Sequence, residues 1–277
     1  MNKNLIFDIG MHRGEDTAYY LSKGYNVVAV DADPSLISSA ENTFSEAYEN
    51  GRLCLENLAI SEGKGELDFY RSEKSIWNSL NNKIADRLGS SKEVLSVKSA
   101  TLQCLIDKYG LPYYCKIDIE GYDIVALRSL SPQNLPKYIS VESECLGEAD
   151  QPGEEEVLAT LDQLNKLGYS CFKLVDQKSL KALNIKRTFY KEKKNLHRLK
   201  QKFKTVLNQT YRQKLSSKEN YVFPSGASGP FGELIEGSWY CYEDAKKMIL
   251  KHRKDFFETH PMGHNFSFWC DWHAKLE

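Results

Sequence analysis

Residues 4–33 read NLIFDIGMHRGEDTAYYLSKGYNVVAVDAD, and this stretch decides the fold. NLIFDIG is a short, nearly continuous apolar run, the pattern of a strand buried on both faces. EDTAYYLSKG carries acids in its first turn and stops at Gly24, as a helix does. YNVVAVDAD is a second buried strand. Two such strands joined by one helix require a parallel pair and a right-handed crossover.

The alternation continues outward. PSLISSAENTFSEAYENG predicts a second helix from Pro34 to Gly51, LCLENLAIS and GELDFYRS predict strands, and residues 74–93 are polar and aperiodic enough for a surface excursion. LSVKSATLQCLIDKYG, YYCKIDIEGYDIVALRSL and PKYISVESE each place a strand, the first two followed by helices. GEEEVLATLDQLNKLG and YSCFKLVD add a last helix and strand. The pattern is an open, doubly wound α/β sheet ending near residue 176. We therefore divide the chain into 1–176 and 177–277, the second part being a basic amphipathic segment and an aromatic-rich cap packed on the first.

A formal net charge of -1 excludes wholesale coating of nucleic acid. The charge is uneven: residues 181–220 hold 13 Lys/Arg against 2 acids. In that stretch Phe189, Leu196, Leu199, Phe203, Val206 and Leu207 recur at helical spacing. It reads as a solvated helix, a wall facing an anionic acceptor, or a peripheral contact with anionic lipid through 181–218. Seven scattered cysteines without a CxxC pair point to a reducing compartment, and no signal peptide or membrane-length apolar run is visible, so a cytoplasmic location is expected. Oligomeric state is not legible.

In an open parallel sheet the ligand sits beyond the carboxyl ends of the strands. Gly10 and Gly14 bracket the first turn, Asp8 precedes it, and Asp31 with Ala32 closes the second strand, where a carboxylate can accept from ribose hydroxyls. The spacing is G-x-x-x-G rather than G-x-G-x-x-G, which suits S-adenosylmethionine, with no pyrophosphate to seat, better than a dinucleotide. Asn57 and Ala59 (with Ser61) follow the third strand, where an adenine ring would be gripped. Asp118 and Glu120, two apart at a strand end, share a face. With Asp118 at the cofactor, Glu120 meets the acceptor, unless both acids only cap a helix or pair with Lys116. Glu142 ends the next strand. His12, in the turn itself, reads as a base, a substrate contact or a solvated loop histidine.

FDIGMHRGEDT, VVAVDADPSLI, NLAISEGKGELDFY, KIDIEGYDIVAL and KYISVE, in that order, resemble the FkbM-type S-adenosylmethionine-dependent methyltransferases. The resemblance covers roughly residues 4–145, with weaker echoes in SGPFGE and DWHAKL; the family commonly has Asn where this chain has His12. It implies a Rossmann-like, mostly parallel seven-stranded sheet, S-adenosylmethionine as donor, and O-methylation of a sugar, glycan or glycolipid precursor or natural product. On that reading the donor is held by Asp8, Gly10, His12, Gly14, Asp31, Ala32, Asn57, Ala59 and Asp118, and the catalytic residues are Asp118, Glu120, Glu142 and His12. Asn78 and Ser79 resemble a polar segment of the family near its active site, a plain surface turn being the alternative. DWHAKL gives Asp271 or His273 a part in closing over the acceptor.

The carboxylates could instead hold a divalent ion that acidifies the acceptor, though no spacing forces it. His260, His264, Cys270, Asp271 and His273 do not match the gaps of a zinc finger, and a packed cap accounts for them better. A nicotinamide-dependent oxidoreductase lacks its glycine fingerprint here, and the pairs Tyr190/Lys194 and Tyr242/Lys246 fall too far past the sheet to serve it. A non-catalytic nucleoside- or glycan-binding module is the remaining alternative.

Overall fold

The computed structural model describes residues 1–86, 91–143, 154–186, 209, 211–259 and 268–277. The chain divides into two compact units, Met1–Val141 and Glu142–Glu277.

The first unit begins with β1 (Asn2–Ile9), α1 (Glu15–Ser22), β2 (Asn26–Asp31), α2 (Pro34–Thr43), α3 (Ser45–Glu49) and β3 (Leu53–Asn57). It continues with β4 (Ala59–Ile60), β5 (Gly65–Ser72), α4 (Asn82–Ala85), β6 (Ser91–Ala100), α5 (Leu102–Tyr109), β7 (Pro112–Ile117), α6 (Asp123–Arg128) and β8 (Tyr138–Glu142), whose last residue belongs to the second unit. The main sheet here runs β8-β7-β1-β2-β3, every neighbouring pair parallel. Order reverses between β1 and β7, so the carboxyl ends of those two strands flank the crevice where such sheets bind ligands. Ile6, Phe7, Ile9, Val27, Val28, Val30, Cys115 and Ile117 are buried in it, which is why these strands read as unbroken apolar runs.

Two details differ from the sequence reading. The single helix expected over 34–51 breaks at Phe44, which leaves helical angles (φ -114°, ψ 30°). Its ring lies over Gly14, where an added Cβ would come within 2.5 Å of it. The strand expected over 53–61 also breaks: Leu58 donates its N–H to the Asp31 carbonyl (3.2 Å), and β4 leaves the main sheet to pair with β6. β4, β6 and β5 form a separate three-stranded sheet, β5 and β6 antiparallel. The first four residues of β5 are exposed, so both faces of the ribbon are wet at that end.

The second unit carries α7 (Glu154–Leu167), β9 (Cys171–Asp176), β10 (Lys181–Ala182), α8 (Tyr242–Thr259) and β11 (Cys270–Lys275). Its strands run β10-β9-β11, and both pairings are antiparallel. Apart from the small sheet, the described residues thus contain 5 + 3 = 8 strands against the seven implied by the resemblance; two-residue β10 hairpins back on β9. The carboxyl terminus, expected as a cap, instead supplies β11. Trp272 is fully buried there and meets Phe172 edge-on at 6.4 Å.

That placement corrects the roles considered for the tail. Asp271 is buried and bonded to Gln177, while buried His273 stands in register with Lys173, and burial drops its pKa to about 3. Neither is free to close over an acceptor. Cys270 and Asp271, adjacent in a strand, point to opposite faces and cannot share an ion. His260 and His264 lie outside the described residues, as do residues 187–208 with the apolar stripe of the basic segment. Six cysteines are free among the described residues, and no helix there is long and apolar enough to cross a membrane.

Candidate functional site

The turn after β1 is fastened to β2. The N–H groups of Gly10 and Met11 both donate to the Val30 carbonyl (2.9 and 3.0 Å), and the His12 N–H donates to the Asp31 carboxylate (3.0 Å). Gly10 has φ 80°, and a Cβ there would meet the Asp118 carbonyl oxygen at 1.8 Å, so only glycine lets β7 pass this close. Gly14 has φ 82° and begins α1. His12 is also left-handed (φ 52°), a conformation that Asn and His tolerate better than most residues, which accounts for either at this position.

Asp31, half-buried at the end of β2, accepts from the His12 N–H on one oxygen and the Asp33 N–H on the other (2.9 Å). Burial outweighs these two bonds and lifts its pKa from 3.8 to about 6. Each oxygen keeps lone-pair capacity for another donor, the requirement for gripping a ribose diol. Ala32 packs against the cluster containing Ala59, Phe69 and Val97, giving a small apolar wall beside Asp31. The Asn57 side-chain amide N–H groups donate to the carbonyls of Asp31 and Ala32 (3.1 Å each), bracing the end of β2.

Beneath the turn lies a buried charge cluster. The Lys116 ammonium reaches Asp8 (3.3 Å), Asp118 (3.6 Å), Asp16 (3.7 Å) and the Gly10 carbonyl (3.2 Å). Asp8 accepts additionally from the Thr17 hydroxyl at 2.6 Å. Burial alone would discharge Lys116, but the surrounding carboxylates hold its pKa well above the ordinary lysine value. Three acids against one base leave excess negative charge, which suits a cationic ligand. This donor set and the Asp31 diol acceptor fit S-adenosylmethionine, a sulfonium attached to ribose.

Asp118 and Glu120, both half-buried, bring carboxylate oxygens within 4.8 Å of each other. Asp118 pairs with Lys116, one of the alternatives weighed for it, while Asp123, the first residue of α6, accepts from the N–H groups of Ile119 and Gly121 in the turn before the helix (3.2 Å each). Glu120 is strained at φ 47°, and the Ser79 hydroxyl holds its carbonyl at 2.7 Å. Asn78 donates to the Asp33 carboxylate (3.1 Å), joined there by Arg71 (3.1 Å). Glu142 ends β8, half-buried.

The His12 ring lies between two partners. Nδ1 faces the Glu15 carboxylate at 3.3 Å, and Nε2 faces the Ser75 hydroxyl at 2.8 Å. Ser75 starts a single 3-10 turn (Ser75–Trp77) inside the stretch read as a surface excursion. Sequence reasoning missed Glu15, Ser75, Asp33, Asp16 and Thr17, and considered Lys116 merely as an alternative partner for the acids. Asp33 had a signal, since Asp before Pro34 marks a helix N-cap, and its carboxylate does accept from the Ser35 N–H (2.9 Å).

A glycine turn tied to an aspartate at the switch point of a parallel sheet is the arrangement of a nucleoside-binding α/β protein. Residues 8–171 match the model of the methyltransferase FkbM domain. The chain belongs to that family of S-adenosylmethionine-dependent methyltransferases. No curated protein sequence matches it. Among solved structures, a precorrin-6y C5,15-methyltransferase from Geobacter metallireducens is 9% identical over 66% of this chain and 75% of its own, with TM-score 0.34. The MccD protein is 9% identical over 99% and 91%, with TM-score 0.39. PKMT2 from Rickettsia typhi, in complex with AdoHcy, is 12% identical over 99% and 49%, with TM-score 0.32. Likenesses this faint carry no weight beside the family match.

Proposed function

We propose that the chain methylates a hydroxyl oxygen of a sugar, a glycan or glycolipid precursor, or a natural product. The observation that carries this reading is the contact of His12 Nε2 with a hydroxyl, Ser75 Oγ, at 2.8 Å inside the cofactor turn. An imidazole nitrogen that already engages one alcohol is placed to take a proton from another.

When bound, S-adenosylmethionine supplies an electrophilic methyl carbon on its sulfonium. The Asp31 carboxylate accepts from the ribose hydroxyls, Ala32 and Ala59 line the adenine side, and the acids around Lys116 offset the cationic charge. Asp118 takes the cofactor side of the β7 end and Glu120 the acceptor side; Glu142, on the neighbouring strand β8, is a further carboxylate candidate. Holding the acceptor in line contributes most of the rate, about 7–11 kcal/mol in well-oriented systems. Proton removal adds about 10²–10⁴-fold.

The basic segment 181–218 makes an anionic acceptor or a peripheral lipid contact the partner class we favour, nucleic acid being disfavoured by the overall charge. Free cysteines support a reducing, cytoplasmic setting. The test has two parts. Calorimetric titration should give binding of S-adenosylhomocysteine and none of NADH. Incubation of sugar and glycolipid extracts with isotopically labelled methyl donor should then label a hydroxyl. Binding of NADH alone would favour an oxidoreductase, and label on nitrogen would overturn the O-methylation reading.

A further inference from the structure

The charge cluster and the diol acceptor are absorbed by the cofactor, but the arrangement on the far side of His12 is not. Glu15 is half-buried; one carboxylate oxygen accepts from the Arg13 N–H (3.1 Å), and the other faces His12 Nδ1 (3.3 Å). Its pKa is lowered: burial pushes it up, but the His12 contact and backbone donors more than offset this, so the group is a carboxylate. An ionised carboxylate is acceptor-only. The proton between Glu15 and the ring therefore sits on Nδ1, an arrangement that leaves Nε2 as the ring's acceptor whenever the imidazole carries a single proton. The Ser75 hydroxyl lies 2.8 Å from Nε2, within reach to donate to its lone pair.

The backbone beneath the ring is set by its own contacts. It is held left-handed at φ 52° by the His12 N–H bond to Asp31, and the glycine at position 14 fixes the entry to α1, whose first residue is Glu15. Base, orienting acid and cofactor turn therefore lie on one short piece of chain from 10 to 15.

We propose that Glu15 is a positioning residue for methyl transfer: it locks His12 in the Nδ1–H tautomer, so that Nε2 is the proton acceptor for the substrate hydroxyl, whose place Ser75 Oγ holds in the free protein. The inference rests on the hydroxyl-methylation reading above. In the step, the acceptor O–H bond breaks and its proton goes to Nε2. The oxygen lone pair forms the new bond to the methyl carbon, and the C–S bonding pair returns to sulfur. The resulting imidazolium presents its Nδ1–H to the Glu15 carboxylate, which stabilises the charge, and the Ser75 hydroxyl must have swung aside. The chemistry asks for an acceptor whose hydroxyl can reach past the 3-10 turn, which fits a sugar ring carrying its hydroxyls on a projecting edge.

Tautomers are read directly by long-range ¹⁵N-edited NMR of histidine-labelled full-length protein at alkaline pH, with His12→Asn assigning the signal. Wild type should show a pyrrole-type Nδ1 and a pyridine-type Nε2. Glu15→Ala should move the ring towards the Nε2–H form, while thermal melts confirm folding. Turnover on labelled extract should fall about 10²-fold or more with S-adenosylhomocysteine affinity unchanged, by analogy with the loss when an orienting acid is removed from other histidine bases. Glu15→Asp should restore both the tautomer and most of the rate. A wild-type ring carrying its proton on Nε2, or a tautomer indifferent to Glu15→Ala, would overturn the proposal while leaving the cofactor assignment intact. Failure of wild type to bind S-adenosylhomocysteine would instead sink the functional reading, and the NMR result would stand separately.

Discussion

Replacing Asp31 by Asn isolates a conflict between stability and function. Burial raises the Asp31 pKa from 3.8 to about 6, so between those values the folded chain binds more of this proton than the unfolded chain does. Stability therefore falls as pH rises through the window, and the deficit is complete just above it. A shift of about two units at roughly 1.4 kcal/mol each gives a ceiling near 3 kcal/mol. Asn cannot titrate, although it must leave either the His12 or the Asp33 N–H without an acceptor, a fixed cost of about 1–3 kcal/mol. The offset between wild type and variant is thus not diagnostic, but its pH dependence is. Urea unfolding at several pH values from about 4 to about 7.5 should show the variant gaining roughly 3 kcal/mol on wild type as pH rises. In the same window wild type should bind S-adenosylhomocysteine about tenfold more tightly per pH unit, because ribose hydroxyls need the ionised acceptor. The variant should bind it about 10–100-fold more weakly at pH 7.5, with a flat profile. Parallel stability curves, or an unweakened and still pH-dependent variant, would refute the reasoning.

Other perturbations follow from the same geometry. Lys116→Met leaves Asp8 and Asp16 buried without their shared cation and should cost about 3–5 kcal/mol in urea midpoints, less at low pH where the acids can protonate. Gly10→Ala forces a methyl to within 1.8 Å of the Asp118 carbonyl at φ 80° and should abolish soluble folded protein, whereas Gly24→Ala, left-handed but with open space around it, should cost about 1 kcal/mol by thermal melt. Ser79→Ala removes the donor that holds the strained Glu120 carbonyl. Turnover should drop about tenfold while S-adenosylhomocysteine affinity stays, since the lost bond is worth roughly 1–2 kcal/mol at a residue away from the cofactor turn.

Much of the molecule was written locally. Periodicity alone gave the strand–helix alternation, because residues buried on both faces of a parallel sheet must be apolar without interruption and a helix must stop at Gly24 or start at Pro34. The positions of Gly10, Asp31 and the acids after β7 at strand ends were legible for a related reason: strand ends fall at fixed places in a repeating pattern. By itself the sequence thus determined the sheet, its crevice and the class of ligand.

What it could not give were pairings made across chain separation. Lys116 sits in a motif, but its role appears only where β7 lies beside β1 and gathers Asp8, Asp16 and Asp118 around one ammonium. Ser75 lies in a polar stretch with no period and gains meaning from His12, 63 residues earlier. The aromatic tail looked like a cap because alternation over six residues is too short to distinguish a strand from a loop, and antiparallel pairing with β9 decided it. Local propensity is encoded residue by residue, whereas the hydrogen-bond and charge partners that tune a site are chosen by topology, and that choice is made when the sheet assembles.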